Sequence, residues 1–202
     1  MELEPSHYPA QRAAGVARAC ISYRRGGPNR VLTLSNVRRA RLQVRGRERG
    51  PRAGTGWIKS MKLLLQHSAP EVHFTVEGEL GKNPDDADNK FYSRIKSLKE
   101  PLVAQNIPDS FGIVPPEMEP IRHLAFSACD YIIWQNSTEN TWYNLAQIQD
   151  VRQVKRNDDY LEFDYTVLLH DFVSQEIIPW QMQVLWHPQH GVKVTQNSRQ
   201  PK

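Results

Sequence analysis

The sequence predicts an α+β protein in which one unit, a helix packed on a curved antiparallel sheet, is written twice. Three observations carry this expectation. Apolar residues recur at every second position in Leu161, Phe163, Tyr165, Val167 and Leu169, and again in Trp180, Met182, Val184 and Trp186. A helix bearing Ala19-Cys20, a tyrosine, a turn and a strand ending at Val37-Arg38 reappears as a helix bearing Ala128-Cys129, Tyr131, a turn and a strand ending at Val151-Arg152. Finally, 202 residues with 39% hydrophobic and 24% charged side chains suit one or two small globular domains.

Taken in order, the first helix spans about 9–23. Ser6 is its expected N-cap, and Ala13, Val16, Ala17, Cys20 and Ile21 share a face. Gly26-Gly27-Pro28 ends it, and a short strand is expected over 30–37. Residues 38–68 are rich in arginine and glycine and close on an apolar run over 58–65. Val72, Phe74 and Val76 alternate with polar neighbours, the pattern of a half-buried strand over 71–78. An acidic start at Asp85-Asp86 opens a second helix, whose narrow stripe of Phe91, Ile95 and Leu98 fits a connector ended by Pro101. A proline-rich crossing over 107–116 leads to a third helix over about 117–134. Strands over 141–148, 151–155, 160–169, 180–186 and 192–195 complete the chain.

No stretch approaches the roughly 18 apolar residues of a membrane span, and the N-terminal residues lack a basic and apolar leader. With only Cys20 and Cys129, neither a disulfide framework nor a four-thiolate zinc site is available, so a cytoplasmic protein is expected. Both cysteines lie on apolar helix faces and read as buried small hydrophobes. The net charge of +4 is local: Arg38, Arg39, Arg41, Arg45, Arg47, Arg49 and Arg52 against Glu48 contribute +6, leaving −2 for all other residues. Such a tract suits a heparin-like polyanion. It lacks the interleaved aromatics that stack nucleic-acid bases, so nucleic acid is not the expected partner.

Motifs for catalysis are missing. The chain has no GxSxG, GxxxxGK[ST], HExxH or CxxC, and Gly50 to Gly56 lacks the lysine of a phosphate loop. His187 and His190 flank a proline with no evident third ligand, which reads as a surface loop. His170-Asp171 suggests an oriented base, yet no nucleophile accompanies it and a polar strand end explains the pair. The expectation is therefore no enzyme, no cofactor and no bound metal. The segment 171–180 stands out instead. Phe172, Val173, Ile177 and Ile178 are more apolar than a connector needs and flank polar Ser174, Gln175 and Glu176. Either an edge strand bulged at Pro179 or a rigid hairpin offered to a partner's cleft accounts for this.

Several strings resemble the latexin family, vertebrate inhibitors of zinc metallocarboxypeptidases. They are His7-Tyr8-Pro9-Ala10 with the alanine-rich helix after it, Ala69-Pro70-Glu71-Val72, 74–84 (FTVEGELGKNP), 97–111 (SLKEPLVAQNIPDSF), 131–138 (YIIWQNST), 153–159 (QVKRNDD) and 174–189 (SQEIIPWQMQVLWHPQ). The resemblance implies two tandem cystatin-like domains: 1–82, a connecting helix over 83–103, and 104–202. It also implies inhibition of an A-type zinc carboxypeptidase by a hairpin of the second domain that enters the enzyme's funnel. That hairpin corresponds to His170, Asp171, Phe172, Val173, Ser174, Gln175 and Glu176, with Gln175 at the tip. The zinc would be the enzyme's. Residues 41–68 depart from the family pattern, which leaves the first sheet short of strands. Pro179-Trp180 also echoes the second hairpin of cysteine-protease inhibitors, but the QxVxG loop those proteins need is replaced by Gln153-Val154-Lys155-Arg156-Asn157.

Overall fold

The computed structural model describes residues 2–37, 40, 41, 72, 84–138 and 140–201. Helix α1, Tyr8–Arg25, begins at His7 rather than at Ser6, and no side chain caps it; Pro9 occupies its first turn. It ends at Gly26, where a β-carbon would come within 2.5 Å of both Ser127 Oγ and the Ser22 carbonyl oxygen. Glycine is required there because a side chain would collide with α1's own last-turn carbonyl as well as with the third helix. Strands β1, Glu2–Leu3, and β2, Ala40–Arg41, form a short antiparallel ribbon.

The strand expected over 30–37 does not form. Gly27 and Arg30 make one isolated bridge, and 31–37 carry no ladder. Val31 and Leu34 are exposed, so the alternation there has no buried face to fix a register. Of the strand expected over 71–78 only Val72 is described, buried against Ala17 and Cys20; the apolar run over 58–65 lies outside the described residues.

Helix α2, Pro84–Lys96, is shorter than the expected connector and stops five residues before Pro101. Phe91 and Ile95 are buried, with the Phe91 ring edge-on to Trp186 at 5.6 Å. The Tyr92 hydroxyl donates to the Asp159 carbonyl at 2.8 Å, and Lys96 Nζ donates to the Tyr160 carbonyl at 3.3 Å. The helix is thereby tied to the C-terminal sheet. Residues expected in its tail and in the proline-rich crossing form strand β3, Val103–Ile107. Only Ile107 of that strand is buried, so it shows no period-two signal, and Asn106 kinks it with a left-handed φ of 55°.

A 3₁₀ turn, Pro116–Met118, precedes helix α3, Glu119–Asn136. Four strands follow: β4 (Tyr143–Val154), β5 (Leu161–Asp171), β6 (Glu176–His187) and β7 (Gly191–Arg199). Strands β3 to β7 form one antiparallel sheet in chain order. The two pieces expected over 141–148 and 151–155 are a single strand. Irregularities between Leu145 and Gln147 and between Ile148 and Asp150 interrupt its alternation.

One face of this sheet and α3 enclose the core. Ile121, Leu124, Ala128 and Ile132 of α3 meet Phe163, Tyr165, Val167, Val184 and Trp186, all buried. Each large side chain placed there contributes about 1.5–3 kcal/mol of hydrophobic stabilisation. The Tyr165 hydroxyl, dragged into the core, is satisfied by donating to the Ile121 carbonyl at 3.0 Å. Helix α1 packs on α3 differently, through small residues, the Tyr23 ring 4.9 Å from Tyr131, and an ion pair in which Arg18 grips Asp130 with two bonds of 3.0 and 2.7 Å. Cys20 and Cys129 are free and buried, and burial raises both thiol pKa values, Cys129's the more.

Candidate functional site

The end of the sheet where β5 turns into β6 presents a four-residue loop, Phe172 to Gln175, between the paired residues Asp171 and Glu176. Pro179 makes no bulge. It sits in continuous register opposite Leu168, and β6 is an interior strand rather than an edge. The Pro179 carbonyl accepts from the Gln200 amide at 3.0 Å, so its missing N–H falls where β7 ends and costs the sheet little. Of the two explanations for this segment, the hairpin is the one that forms. Trp180 is likewise inside β6, which removes the resemblance to a second cystatin-type hairpin at that pair.

Asp171 organises the loop. Its side chain is 4% exposed, and Oδ1 accepts from the Trp142 amide at 2.8 Å and the Val173 amide at 3.1 Å, while Oδ2 accepts from the Ser174 hydroxyl at 3.0 Å. Burial opposes ionisation of this carboxyl, but the donors from Trp142, Val173 and Ser174 outweigh it and hold the pKa below the usual carboxylate value. The Gln175 amide donates to the Asp171 carbonyl at 2.8 Å, and Gln175 Nε2 donates to the Phe172 carbonyl at 2.7 Å. Gln175 has a φ of 59°. A residue with a β-carbon pays roughly 1–2 kcal/mol to be left-handed, so glycine would be the easier occupant.

His170, the residue before Asp171 in β5, is half-buried with its ring 4.5 Å from Phe172. Glu176 opens β6, with a carboxylate oxygen 3.9 Å from the Arg199 guanidinium. Phe172, Val173 and Ile177 are exposed by 45%, 49% and 47%, giving an apolar collar around a polar tip. The structure thus brings all seven expected hairpin residues together. For the arginine tract, Arg41 is described only as backbone in β2, and Arg38, Arg39, Arg45, Arg47, Arg49 and Arg52 lie outside the described residues.

Three residues of this region were not singled out from the sequence. Trp142 contacts Phe172 edge-on at 6.1 Å, Tyr8 contacts Trp142 at 6.1 Å, and the Arg12 guanidinium lies 5.4 Å from the Trp142 ring centre. A signal existed for one of them. Arg12 falls on the helical face of Val16, Ala19 and Cys20, and an arginine on an apolar face asks for a partner. His187 and His190 stack on each other at 4.6 Å, and His190 Nδ1 meets the Tyr160 hydroxyl at 2.8 Å. Among the described residues no group of three His, Cys, Asp or Glu side chains is placed to hold a metal, and no helix is long and apolar enough to cross a membrane.

A five-stranded antiparallel meander wrapped on one helix, with a stiffened hairpin at its end, is the α+β architecture of cystatin-like proteins. The chain belongs to the latexin family: the family model described as Latexin matches residues 3–51 and 62–202. The chain is 55% identical to human latexin and 52% identical to mouse latexin, each aligned over 217 positions that cover all of this chain and 98% of the relative. It is also 32% identical to human retinoic acid receptor responder protein 1, over 91% of this chain and 70% of that protein. The gap in the match, 52–61, falls inside the segment over 41–68 expected to depart from the family. Residues 41–51 and 62–68 align with the family, and only 52–61 fall outside it.

Proposed function

We propose that this protein inhibits A-type zinc metallocarboxypeptidases by inserting the β5–β6 hairpin into the mouth of the substrate funnel. One observation carries the reading. A glutamine occupies the left-handed tip position where glycine would cost least; its amide donates to the Asp171 carbonyl, and the Asp171 carboxylate accepts from Trp142, Val173 and Ser174 and so braces the loop around it. A loop ordered before binding loses little entropy on entering a cleft. The Gln175 tip is polar and uncharged, suited to hydrogen-bond the groups that otherwise hold a substrate's C-terminus, while Phe172, Val173 and Ile177 cover the rim. The zinc would be the enzyme's, and this chain itself would carry out no reaction. Membership of the latexin family supports the reading.

The test is a tight-binding titration of A-type carboxypeptidase activity with the folded chain, where stoichiometric loss of activity is expected. Gln175→Gly relieves the backbone strain while deleting the side chain. Its inhibition constant should rise about tenfold or more, equivalent to roughly 1.4 kcal/mol. An unchanged constant would remove the tip from the mechanism. A second reading, binding of a heparin-like polyanion through Arg38 to Arg52, rests on the local +6 charge alone. Retention on heparin that disappears when those arginines are replaced by glutamine is its expected signature.

A further inference from the structure

Arg12 belongs to the first helix, yet the groups it bonds among the described residues lie near the hairpin. Its guanidinium donates to the Thr138 carbonyl at 2.9 Å, 126 residues away in sequence, and to the Thr141 carbonyl, and it lies over the Trp142 ring, 5.4 Å from its centre. The side chain is 6% exposed. A buried cation needs such partners, because an unpaired one is expelled. The segment it grips is also tied internally: the Thr138 amide donates to Thr141 Oγ1 at 2.9 Å, and the Thr141 hydroxyl donates to the Asn136 carbonyl at 3.3 Å.

Trp142 then braces the hairpin with its backbone as well as its ring. Its amide donates to Asp171 Oδ1 at 2.8 Å, and its carbonyl accepts from the Phe172 amide at 2.9 Å. Both residues that launch the turn are therefore fastened to Trp142, and Trp142 is fastened to Arg12. The electrostatics agree with this proximity. Burial lowers the Arg12 pKa, while Tyr8 and the Asp171 carboxylate oppose that shift.

We propose that Arg12 is a positioning residue for the hairpin, acting from α1 through Trp142 to fix Asp171 and the left-handed tip before any partner arrives. That a carboxypeptidase is the partner rests on the reading above; that Arg12 fixes the hairpin does not. A planar guanidinium can bridge two carbonyls and stack on an indole at once. A lysine ammonium supplies a point charge without the plane, so Arg12→Lys recovers only part of the effect.

The experiment has two readouts on the full chain. The first is amide hydrogen exchange of the Val173 and Gln175 N–H groups in the free protein. Exchange should accelerate about tenfold in Arg12→Met and in Trp142→Ala, less in Arg12→Lys, and no further in the double variant than in either single one. Ala19→Gly, which weakens α1 away from this network, should lower overall stability with no selective change at these two amides. The second readout is the rate of dissociation from A-type carboxypeptidase, expected to rise about tenfold in Arg12→Met with little change in association. If exchange at Val173 and Gln175 is the same in Arg12→Met as in the parent, or if Ala19→Gly accelerates it equally, the positioning role is wrong. If exchange accelerates as expected while the parent chain inhibits no carboxypeptidase, the role of Arg12 stands and the inhibitor reading falls.

Discussion

Helix α1 and the C-terminal sheet solve the problem of burial in opposite ways. The sheet and α3 enclose Phe163, Tyr165, Val184 and Trp186, each at most 1% exposed, and so carry a core of their own. Helix α1 buries chiefly alanines, Val16 and Cys20. Such small side chains return little hydrophobic free energy, so its attachment leans on directed polar contacts: Arg18 to Asp130, and Arg12 to the 138–142 segment. Among the described residues, one region is held chiefly by buried area and the other by small side chains, a few ring contacts and directed bonds. The first tolerates the loss of a polar contact, and the second does not.

The strongest way to break that comparison is to attack the sheet. Phe163→Ala should cost about 3–5 kcal/mol in denaturant unfolding, a large share of the roughly 5–15 kcal/mol that holds a domain folded. A loss below about 1 kcal/mol would mean that the sheet is not held by its packed interior.

Arg18→Met probes the other side. It leaves Asp130, whose side chain is 4% exposed, without its guanidinium partner. Because Arg18 is itself 30% exposed, roughly 2 kcal/mol is expected, below the cost of breaking a fully buried pair. The sign with pH is definite. Burial raises the Asp130 pKa above its ordinary 3.8, with Arg18 opposing the shift. The native state therefore holds the proton longer than the unfolded chain, and this group's contribution falls as pH rises from about 3.8 through the folded value. Arg18→Met removes the opposition, so its deficit should be small at pH 3 and full at pH 7, measured by urea midpoints.

The smallest effect belongs to the hairpin. Asp171→Asn should lower overall stability by only about 1 kcal/mol, while proteolysis within 172–175 becomes clearly faster. Here the pKa is depressed below 3.8, so the carboxylate's contribution is present above that value and lost as pH falls through the folded one. Parent and variant should converge at acid pH. Convergence at neutral pH instead would show that Asp171 does not organise the turn.

Much of this fold could be read from the sequence because period-two alternation survives wherever one strand face meets the core. The runs from Leu161 to Leu169 and from Trp180 to Trp186 are of that kind. Strand β3 was missed because an edge strand with only Ile107 inside carries no alternation. Strand β4 read as two because its irregularities shift the phase at Gln147 and Asp150. The hairpin was legible as a polar tip in an apolar collar. Its brace was not, since Arg12 and Trp142 are brought together by tertiary packing that no local pattern records. The length of α2 was overestimated because Leu98 falls in phase with Phe91 and Ile95 although the helix has already ended.

The kink at Asn106 matters beyond the site. Among the described residues strand β3 is one outer boundary of the sheet, and an outer strand normally offers a straight row of free amides and carbonyls to any second chain that drifts past. With Asn106 turned left-handed and Pro108, which has no amide proton, immediately beyond, that row is broken after three residues. That irregularity deprives this border of the template on which fibrils and sheet-extended dimers grow.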